Sequence, residues 1–420
     1  MQMLVDILQH LWEKPWFIEI LILLFFATVF LWQKIKETER YLRWLAKMQP
    51  DSYHAHLSLG IYLKEYEECY EEAVSELQQA ISIDPMGKDA RYELYMLQIQ
   101  EESNEDKQQL EIVLHGLIKD FQDDALPLVW AGNFYMKEDP SRSEDYYKKA
   151  LLLAPKYLFA IQNYFSFLRN QKRLSEAEEL LKTALEISPM SENVQKNLLG
   201  VLISQEKYSE AEEYARTFVN AHSKDSDIRW LFGSSLSLQG RNDEALKIFE
   251  EIVKRDPEYK FAYSSMGVIH SETKDYEQAE RSYRKALEID PNDIELMECL
   301  GIVLIAMKRY EEAIPFYIAY LSDKPDDMGG LIAVAGAYRW MENLDEQKRY
   351  LEKARQITAK DNWYDHACIE SVSGNSDLAF DYLSKASKAD GFISKWAWED
   401  PDLQWIRNDP RFLEIAGPKP

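Results

Sequence analysis

The sequence is poor in cysteine, and its three cysteines lie far apart: Cys69, Cys299 and Cys368 in a chain of 420 residues. No CxxC pair is present, so the sequence predicts neither a disulfide framework nor a zinc site, and we expect small thiols that are buried or half-buried. The motifs HExxH, GxxxxGK[ST], GxGxxG and GxSxG are also absent. These absences predict a protein that is not an enzyme and that uses no cofactor and no metal ion.

Basic charge is scarce as well. The chain has 49 lysines and arginines against 73 aspartates and glutamates, which gives a formal net charge of -24. Affinity for nucleic acid depends on neutralising phosphates, so we expect no nucleic-acid partner. Hydrophobic residues make up 46% of the chain, yet a single core of this size would ordinarily divide into domains. An array of repeats avoids that limit.

Long hydrophobic runs are absent except for one near the start of the chain, WFIEILILLFFATVFLW. We predict a tail over residues 1–15 and an uncleaved transmembrane helix over residues 16–33, with a cleaved signal peptide or a buried core helix as the alternative. Glu19 opposes insertion, but it lies near the end of the run, where a charge costs less. Basic residues are more numerous after the run than before it, where only Lys14 is present. The positive-inside rule then predicts a single-pass protein of the cell (inner) membrane with its large domain in the cytoplasm.

Residues 260–293, KFAYSSMGVIHSETKDYEQAERSYRKALEIDPND, have the pattern of a helical hairpin. Small and apolar residues recur at three- and four-residue steps, and Pro291 ends the second helix. Eight residues occupy signature positions of a 34-residue repeat: Tyr263, Met266, Gly267, His270, Ala279, Tyr283, Ala286 and Pro291. The segment therefore resembles a tetratricopeptide repeat (TPR).

The same spacing recurs along most of the chain. Prolines at the repeat junctions are 34 residues apart, or twice 34: Pro155, Pro189, Pro257, Pro291 and Pro325. We predict ten units that begin near residues 53, 90, 124, 158, 192, 226, 260, 294, 328 and 360. The predicted fold class is all-α, a right-handed α-solenoid of about ten TPR hairpins preceded by one transmembrane helix. The predicted parts after that helix are an amphipathic linker helix (34–52), the TPR array (53–393) and a C-terminal cap (394–420).

Some units depart from the family pattern. The first has one extra residue between Gly60 and Ala73, and the second has Leu97 and Gln109 where a glycine and an alanine are expected. In the third unit we expect Ala131 to be the small residue at which the two helices approach. The closing segment, GFISKWAWEDPDLQWIRNDPRF, resembles the end of many bacterial TPR arrays and is expected to cover the last repeat.

The resemblance implies that the first helix of each repeat faces a concave groove that holds a peptide or a helix of another protein. The predicted partner-binding residues are Lys196, Trp230, Arg339 and Trp340. The alternative for Trp230 is packing between adjacent repeats. The lysine and asparagine pattern of a chaperone-binding carboxylate clamp is absent, so we expect no such clamp.

These features together predict a membrane-anchored TPR scaffold or adaptor, with other proteins as its partners and residues 16–33 in the membrane. An extracytoplasmic assembly factor for secretion or pilus biogenesis is the alternative within the same class. An enzyme is the alternative from another class, and the absence of a catalytic motif disfavours it.

Overall fold

A computed structural model describes residues 37–100, 107–221, 225–389 and 394–419. Every regular element in these ranges is helical, which confirms the all-α prediction for this part of the chain. The chain divides into two compact units between Leu180 and Leu181. The division falls inside one helix, Leu174–Ile187, which is α9 in the numbering used below.

The first unit consists of α1 and the helical hairpins that follow it. Its helices are 37–48 (α1), Tyr53–Leu63 (α2), Tyr70–Ile83 (α3), Lys88–Gln100 (α4), Lys107–Asp120 (α5), Leu126–Tyr135 (α6), Pro140–Leu153 (α7) and Leu158–Asn170 (α8). Helix α1 packs Leu42 and buried Ala46 against the first hairpin. Arg43 of α1 also donates to Glu72 of α3, with Nη2 and Oε2 separated by 2.8 Å. The helix before the array is therefore part of the first hairpin's core.

The second unit continues the same pattern of paired helices. Its helices are Glu192–Ser204 (α10), Tyr208–Ala221 (α11), Ser226–Leu238 (α12), Asn242–Arg255 (α13), Lys260–Glu272 (α14), Tyr276–Ile289 (α15), Ile294–Ala306 (α16), Tyr310–Asp323 (α17), Met328–Trp340 (α18), Leu344–Ile357 (α19), Trp363–Ser373 (α20), Ser376–Ala386 (α21), Ser394–Glu399 (α22) and Pro410–Ala416 (α23). With α8 and α9 counted as the fourth pair, ten hairpins lie between Tyr53 and Ala386 in the described residues.

A glycine on the first helix allows the two helices of a hairpin to touch. A Cβ atom placed on Gly267 would lie 2.6 Å from the ring of Tyr283, and one on Gly233 would lie 2.5 Å from the ring of Phe249. Both distances are far below van der Waals contact, so a larger residue at either position would push the helices apart. The aromatic rings of Tyr283 and Phe249 are buried as a result.

Two of the irregular units differ from the simple pattern for reasons that the structure shows. The extra residue of the first hairpin is absorbed by a 3₁₀ turn, Glu67–Cys69, before α3 begins. In the third hairpin the prediction for Ala131 is wrong by one residue. A Cβ on Gly132 would lie 2.5 Å from the Tyr147 ring, and Ser143 Oγ donates to the Gly132 carbonyl at 2.6 Å, so Gly132 is the contact residue.

Arginines connect consecutive repeats at a regular interval. In the second unit, Arg241 contacts Glu212 of the preceding repeat at 2.7 Å and Glu244 of its own repeat at 2.7 Å. Arg309 makes the equivalent pairs with Glu280 and Glu312. In the first unit, Arg173 pairs in the same way with Glu144 and Glu176. These arginines are 68 residues apart, which is two repeats, so the junctions between repeats three and four, five and six, and seven and eight carry the same ion-pair bridge.

The segment after the last hairpin packs against it. Leu403, Ile406 and Phe412 are buried in the same apolar cluster as Val372 of α20 and Leu383 of α21. The Tyr364 hydroxyl of α20 donates to the Asp400 carboxylate at 2.8 Å. The segment thus adds apolar side chains and a hydrogen bond to the exposed side of the final repeat.

The predicted tail (1–15) and transmembrane helix (16–33) lie outside the described residues. Among the residues that the structure does describe, no helix is both long enough and apolar enough to cross a bilayer. The predicted localisation, a single-pass protein of the inner membrane, is therefore wrong for the described part of the chain.

Candidate protein-binding surface

The first helices of repeats five to nine, α10, α12, α14, α16 and α18, carry equivalent residues 34 positions apart. Within each helix the second, fifth and ninth residues fall on one face, because residues three and four apart are neighbours on a helix. We call these positions, apart from the buried Ile332, the first-helix surface: Asn193, Lys196, Gly200, Asp227, Trp230, Ser234, Phe261, Ser264, Val268, Glu295, Glu298, Ile302, Gly329 and Gly336.

Lys196 is connected to the next repeat through two aspartates. Its Nζ lies 3.3 Å from Asp225 and 3.0 Å from Asp227. The Tyr259 hydroxyl donates to the other carboxylate oxygen of Asp227 at 2.7 Å. Partial burial acts to raise the pKa of Asp227, but the hydrogen bonds from Tyr259 and Lys196 outweigh it and hold that pKa below its usual range. Lys196 is thus already engaged in an ion pair.

Trp230 lies between two repeats and is partly exposed. Its Nε1 donates to Ser265 Oγ at 2.9 Å, and its ring centroid lies 5.7 Å from that of Phe261. Both contacts are made to α14, the first helix of the following repeat. The sequence offered two interpretations of Trp230, partner binding and packing between repeats. The structure is compatible with both, because the ring packs between repeats and is also part of the first-helix surface.

Three large apolar side chains on this surface are exposed. Phe261 is 49% exposed, Val268 42% and Ile302 49%. Phe261 and Val268 are seven residues apart on α14, and Ile302 occupies on α16 the position that Val268 has on α14. Neighbouring first helices are about 10 Å apart, so Val268 and Ile302 lie side by side. Phe261 is two turns before Val268, with Ser264 between them. We call Phe261, Val268 and Ile302 the apolar stripe. The sequence prediction missed them, although the 34-residue spacing at the second and ninth positions could have found them.

Acidic residues lie beside this stripe. Glu295 and Glu298 are on α16 with Ile302, seven and four residues before it. Burial, and then the negative charge of Asp327, raise the pKa of Glu298 above the ordinary value of a glutamate. The Lys324 ammonium acts in the opposite direction. Three carboxylates and one ammonium leave this part of the surface negatively charged, which favours a positively charged group.

Arg339 and Trp340 lie elsewhere, at the end of α18, and the structure does not bring them together with Lys196. Arg339 Nη1 donates to the carbonyls of Ser371 and Val372 at 2.6 and 2.9 Å, and its guanidinium lies 3.8 Å from the centre of the Trp405 ring. Trp340 is exposed, but its ring lies 4.4 Å from the same Trp405 ring. Both residues contact the closing segment, a role that the sequence prediction did not include.

One group of side chains has donor atoms that metals use. The ligand atoms of Cys368, Asp400 and Asp402 lie within 4.8 Å of one another. Burial raises the pKa of the Cys368 thiol and of the Asp402 carboxyl well above their usual values, and metal ligands must be deprotonated. Asp400 also accepts a hydrogen bond from the Asp402 amide at 2.8 Å and so caps the 3₁₀ turn Pro401–Leu403. The prediction of no metal site stays a prediction.

Comparison with protein families adds to this geometry. Three models, each described as a tetratricopeptide repeat, match residues 154–265, 261–293 and 282–314. The matched residues coincide with helical hairpins of the structure. The chain contains tetratricopeptide repeats.

Relatives of known name are similar over limited parts of their length. Anaphase-promoting complex subunit 3 of Schizosaccharomyces pombe is 26% identical over 23% of this chain and 20% of its own. The human NatA auxiliary subunit N-alpha-acetyltransferase 16 is 24% identical over 30% of this chain and 14% of its own. This chain therefore spans a fifth or less of the length of these two relatives.

Solved TPR structures are similar as well. A tetratricopeptide repeat protein from Parabacteroides merdae is 20% identical, with 59% of this chain and 98% of that chain covered and a TM-score of 0.44. YrrB, described as a TPR protein with an unusual peptide-binding site, is 26% identical, with 46% and 97% covered and a TM-score of 0.36. The likeness is that of helical repeats and extends no further.

Proposed function

We propose that this TPR protein is a scaffold that holds a segment of a partner protein on the first-helix surface of repeats five to nine. The observation that carries the proposal is the stripe of Phe261 and Val268 on α14 and Ile302 on α16, three large apolar side chains exposed on two neighbouring first helices. Contiguous exposed apolar surface of this kind marks interaction sites in proteins. TPR arrays bind peptides or helices on the surface that their first helices form.

The names of the relatives support a binding role. An anaphase-promoting complex subunit and a NatA auxiliary subunit are both, by name, components of assemblies of several proteins. An auxiliary subunit of an enzyme complex does not itself have to perform the chemistry. We therefore propose a binding function for this chain and not a catalytic one.

The four residues predicted from the sequence have two different places in this proposal. Lys196 and Trp230 belong to the first-helix surface. There Trp230 contributes apolar area, and Lys196 fixes the position of Asp227. Arg339 and Trp340 hold the closing segment, which we propose as the cap of the array.

A photo-crosslinking amino acid at position 268 of the full-length chain tests the proposal in cells of the source organism. Position 318, on the second helix α17, is the control, since Ile318 is 42% exposed, as Val268 is. We expect a discrete crosslinked partner from position 268 and none from position 318. Equal crosslinking from both positions, or from position 318 alone, would place the binding surface elsewhere.

A further inference from the structure

The first-helix surface carries more negative charge than positive charge. Its acidic residues are Asp227, Glu295 and Glu298, and its one basic residue is Lys196. The Lys196 ammonium is paired with Asp225 and Asp227 within the array. The charge of Lys196 is therefore compensated from inside the protein, whereas the two glutamates lie on another helix, α16.

The two glutamates and Asp327 share one nearby cation, Lys324, so negative charge exceeds positive charge around them. The Lys324 ammonium lies 3.8 Å from the Glu295 carboxylate, close to the limit of an ion pair, and the Glu295 side chain is 78% exposed. Glu298 is half-buried, and its pKa is raised chiefly by that burial and next by Asp327, with Lys324 acting in the opposite direction. A cation brought by a ligand would interact favourably with both carboxylates.

Glycines on both sides of the stripe leave space above the helices. A Cβ atom on Gly200 of α10 or on Gly336 of α18 would have no neighbour within 4 Å. The fold therefore does not need a glycine at either position, although glycine inside a helix costs about 1 kcal/mol relative to alanine. The missing side chains deepen the surface at the ninth position of repeats five and nine.

We propose that the occupant of this surface is a peptide segment with lysine or arginine next to large apolar residues. Its apolar side chains lie on Phe261, Val268 and Ile302, and its cation lies between Glu295 and Glu298. This inference rests on the proposed function and adds the chemistry of the partner. Charge complementarity carries it, since a segment with acidic residues would place like charges beside Glu295 and Glu298.

Two synthetic peptides of twelve residues test the inference with the full-length protein. Both carry leucine at the same positions and a fluorescein label; one has lysine at three intervening positions and the other has glutamate there. We expect the lysine peptide to bind at least tenfold more tightly than the glutamate peptide in fluorescence anisotropy at 150 mM salt. No binding of the lysine peptide, or equal binding of both, overturns the inference.

A charge-matched pair of variants then separates a local effect from the general attraction of an acidic protein. Glu295→Gln with Glu298→Gln removes two charges from the surface, and Glu250→Gln with Glu258→Gln removes two exposed charges outside it. We expect the first double variant to weaken binding of the lysine peptide about tenfold and the second to change it less than twofold. An equal loss in both variants shows attraction by net charge alone and overturns the inference.

Ile302→Ser and Ile318→Ser distinguish failure of the inference from failure of the proposed function. The two residues are similarly exposed, 49% and 42%, on the first and second helix of the same repeat. We expect only Ile302→Ser to weaken binding of the lysine peptide. If Ile302→Ser weakens binding of the glutamate peptide as much as binding of the lysine peptide, the binding surface is supported and its preference for a cation is refuted. If Ile302→Ser has no effect on either peptide, the surface itself is refuted.

Discussion

The same residue types recur at junctions between repeats, whereas the residue types of the first-helix surface differ from one repeat to the next. At the junctions, the pairing of an arginine with two glutamates returns unchanged at Arg173, Arg241 and Arg309. On the surface, the fifth position of successive first helices changes each time: Lys196, Trp230, Ser264 and Glu298. Residues that repeat connect neighbouring repeats, whereas in the proposed function the residues that vary determine which partner is bound.

The largest effect is expected where the repeating packing ends. A chain that stops at Ala389 lacks Leu403, Ile406 and Phe412 and exposes the cluster that these residues cover. Because each buried side chain contributes about 1.5 to 3 kcal/mol, we expect a loss of about 5 kcal/mol or more in the free energy of unfolding, together with self-association. Denaturant titration and light scattering measure both quantities. A chain that ends at Gly417 is the control, and equal stability of the two chains would contradict the capping role.

Two phenylalanines in neighbouring repeats sharpen the contrast between core and surface. Phe249 is fully buried against Gly233, whereas Phe261 is 49% exposed. We expect Phe249→Ala to lower the free energy of unfolding by about 3 to 5 kcal/mol, because it leaves a cavity. Phe261→Ala should cost less than about 1 kcal/mol and should weaken partner binding. Similar losses of stability in the two variants would show that Phe261 belongs to the core.

The sequence predicted the repeating part of the fold well because the repeat is visible in residue types. The steric contact of Gly267 with Tyr283 recurs every 34 residues in several units, and so the chain reveals its own register. Contacts that occur only once in the chain could not be predicted in this way, because no repeated spacing indicates them. Nothing in the sequence around Arg339 indicates that its guanidinium donates to the Ser371 and Val372 carbonyls and lies over Trp405.

The residues of the proposed binding surface were predicted only in part, for a related reason. Lys196 and Trp230 are conspicuous residue types, so a reading of the fifth position alone found them. Phe261 and Ile302 are ordinary apolar residues, and the sequence of one helix does not show that their side chains are exposed. The 34-residue spacing indicates that these positions share a face with Lys196 and Trp230, but the exposed fraction of each side chain depends on the neighbouring repeats and is seen only in the structure.

Acidic pH should weaken the repeating junctions. Hydrogen bonds from Arg173 lower the pKa of Glu144 to about 2, from 4.5. A carboxylate whose pKa is lower in the folded state stabilises that state above its unfolded pKa, and the contribution disappears as the pH falls from about 4.5 toward 2. With allowance for solvent screening, we expect Glu144 to account for about 1 to 2 kcal/mol of the loss.

Unfolding of the unmodified chain and of Glu144→Gln at pH 6 and pH 3 measures this contribution. The variant should be less stable at pH 6, and the difference between the two proteins should shrink at pH 3. Asp145→Gln is the control for loss of a charge on the same helix, because Asp145 lies next to Glu144 and pairs only with Lys149 in the described structure. A difference that stays constant with pH would show that the Arg173 bridge does not stabilise the junction.

The smallest expected change in stability is an increase, and it is expected for Gly336→Ala. Gly336→Ala adds a methyl group where there is no neighbour, so we expect it to stabilise α18 by up to about 1 kcal/mol and to weaken partner binding at the same time. Gly116→Ala on α5 is the control, since its added Cβ would meet only Arg91, at 3.7 Å. It should stabilise its helix without any change in binding. Unchanged affinity in Gly336→Ala would show that no ligand approaches that glycine.

The arginine bridges, together with the apolar contacts between repeats, also affect how the second unit responds to a pulling force. Arg241 and Arg309 each join one repeat to the repeat before it, and neither reaches a more distant one. When the two ends of such a stack are pulled, the interfaces between repeats carry the force in series. The weakest interface separates first, while the others stay intact. In an optical trap, the unit should therefore lengthen in steps that each correspond to the unfolding of one or two repeats. A partner that pulls on the protein would extend it step by step.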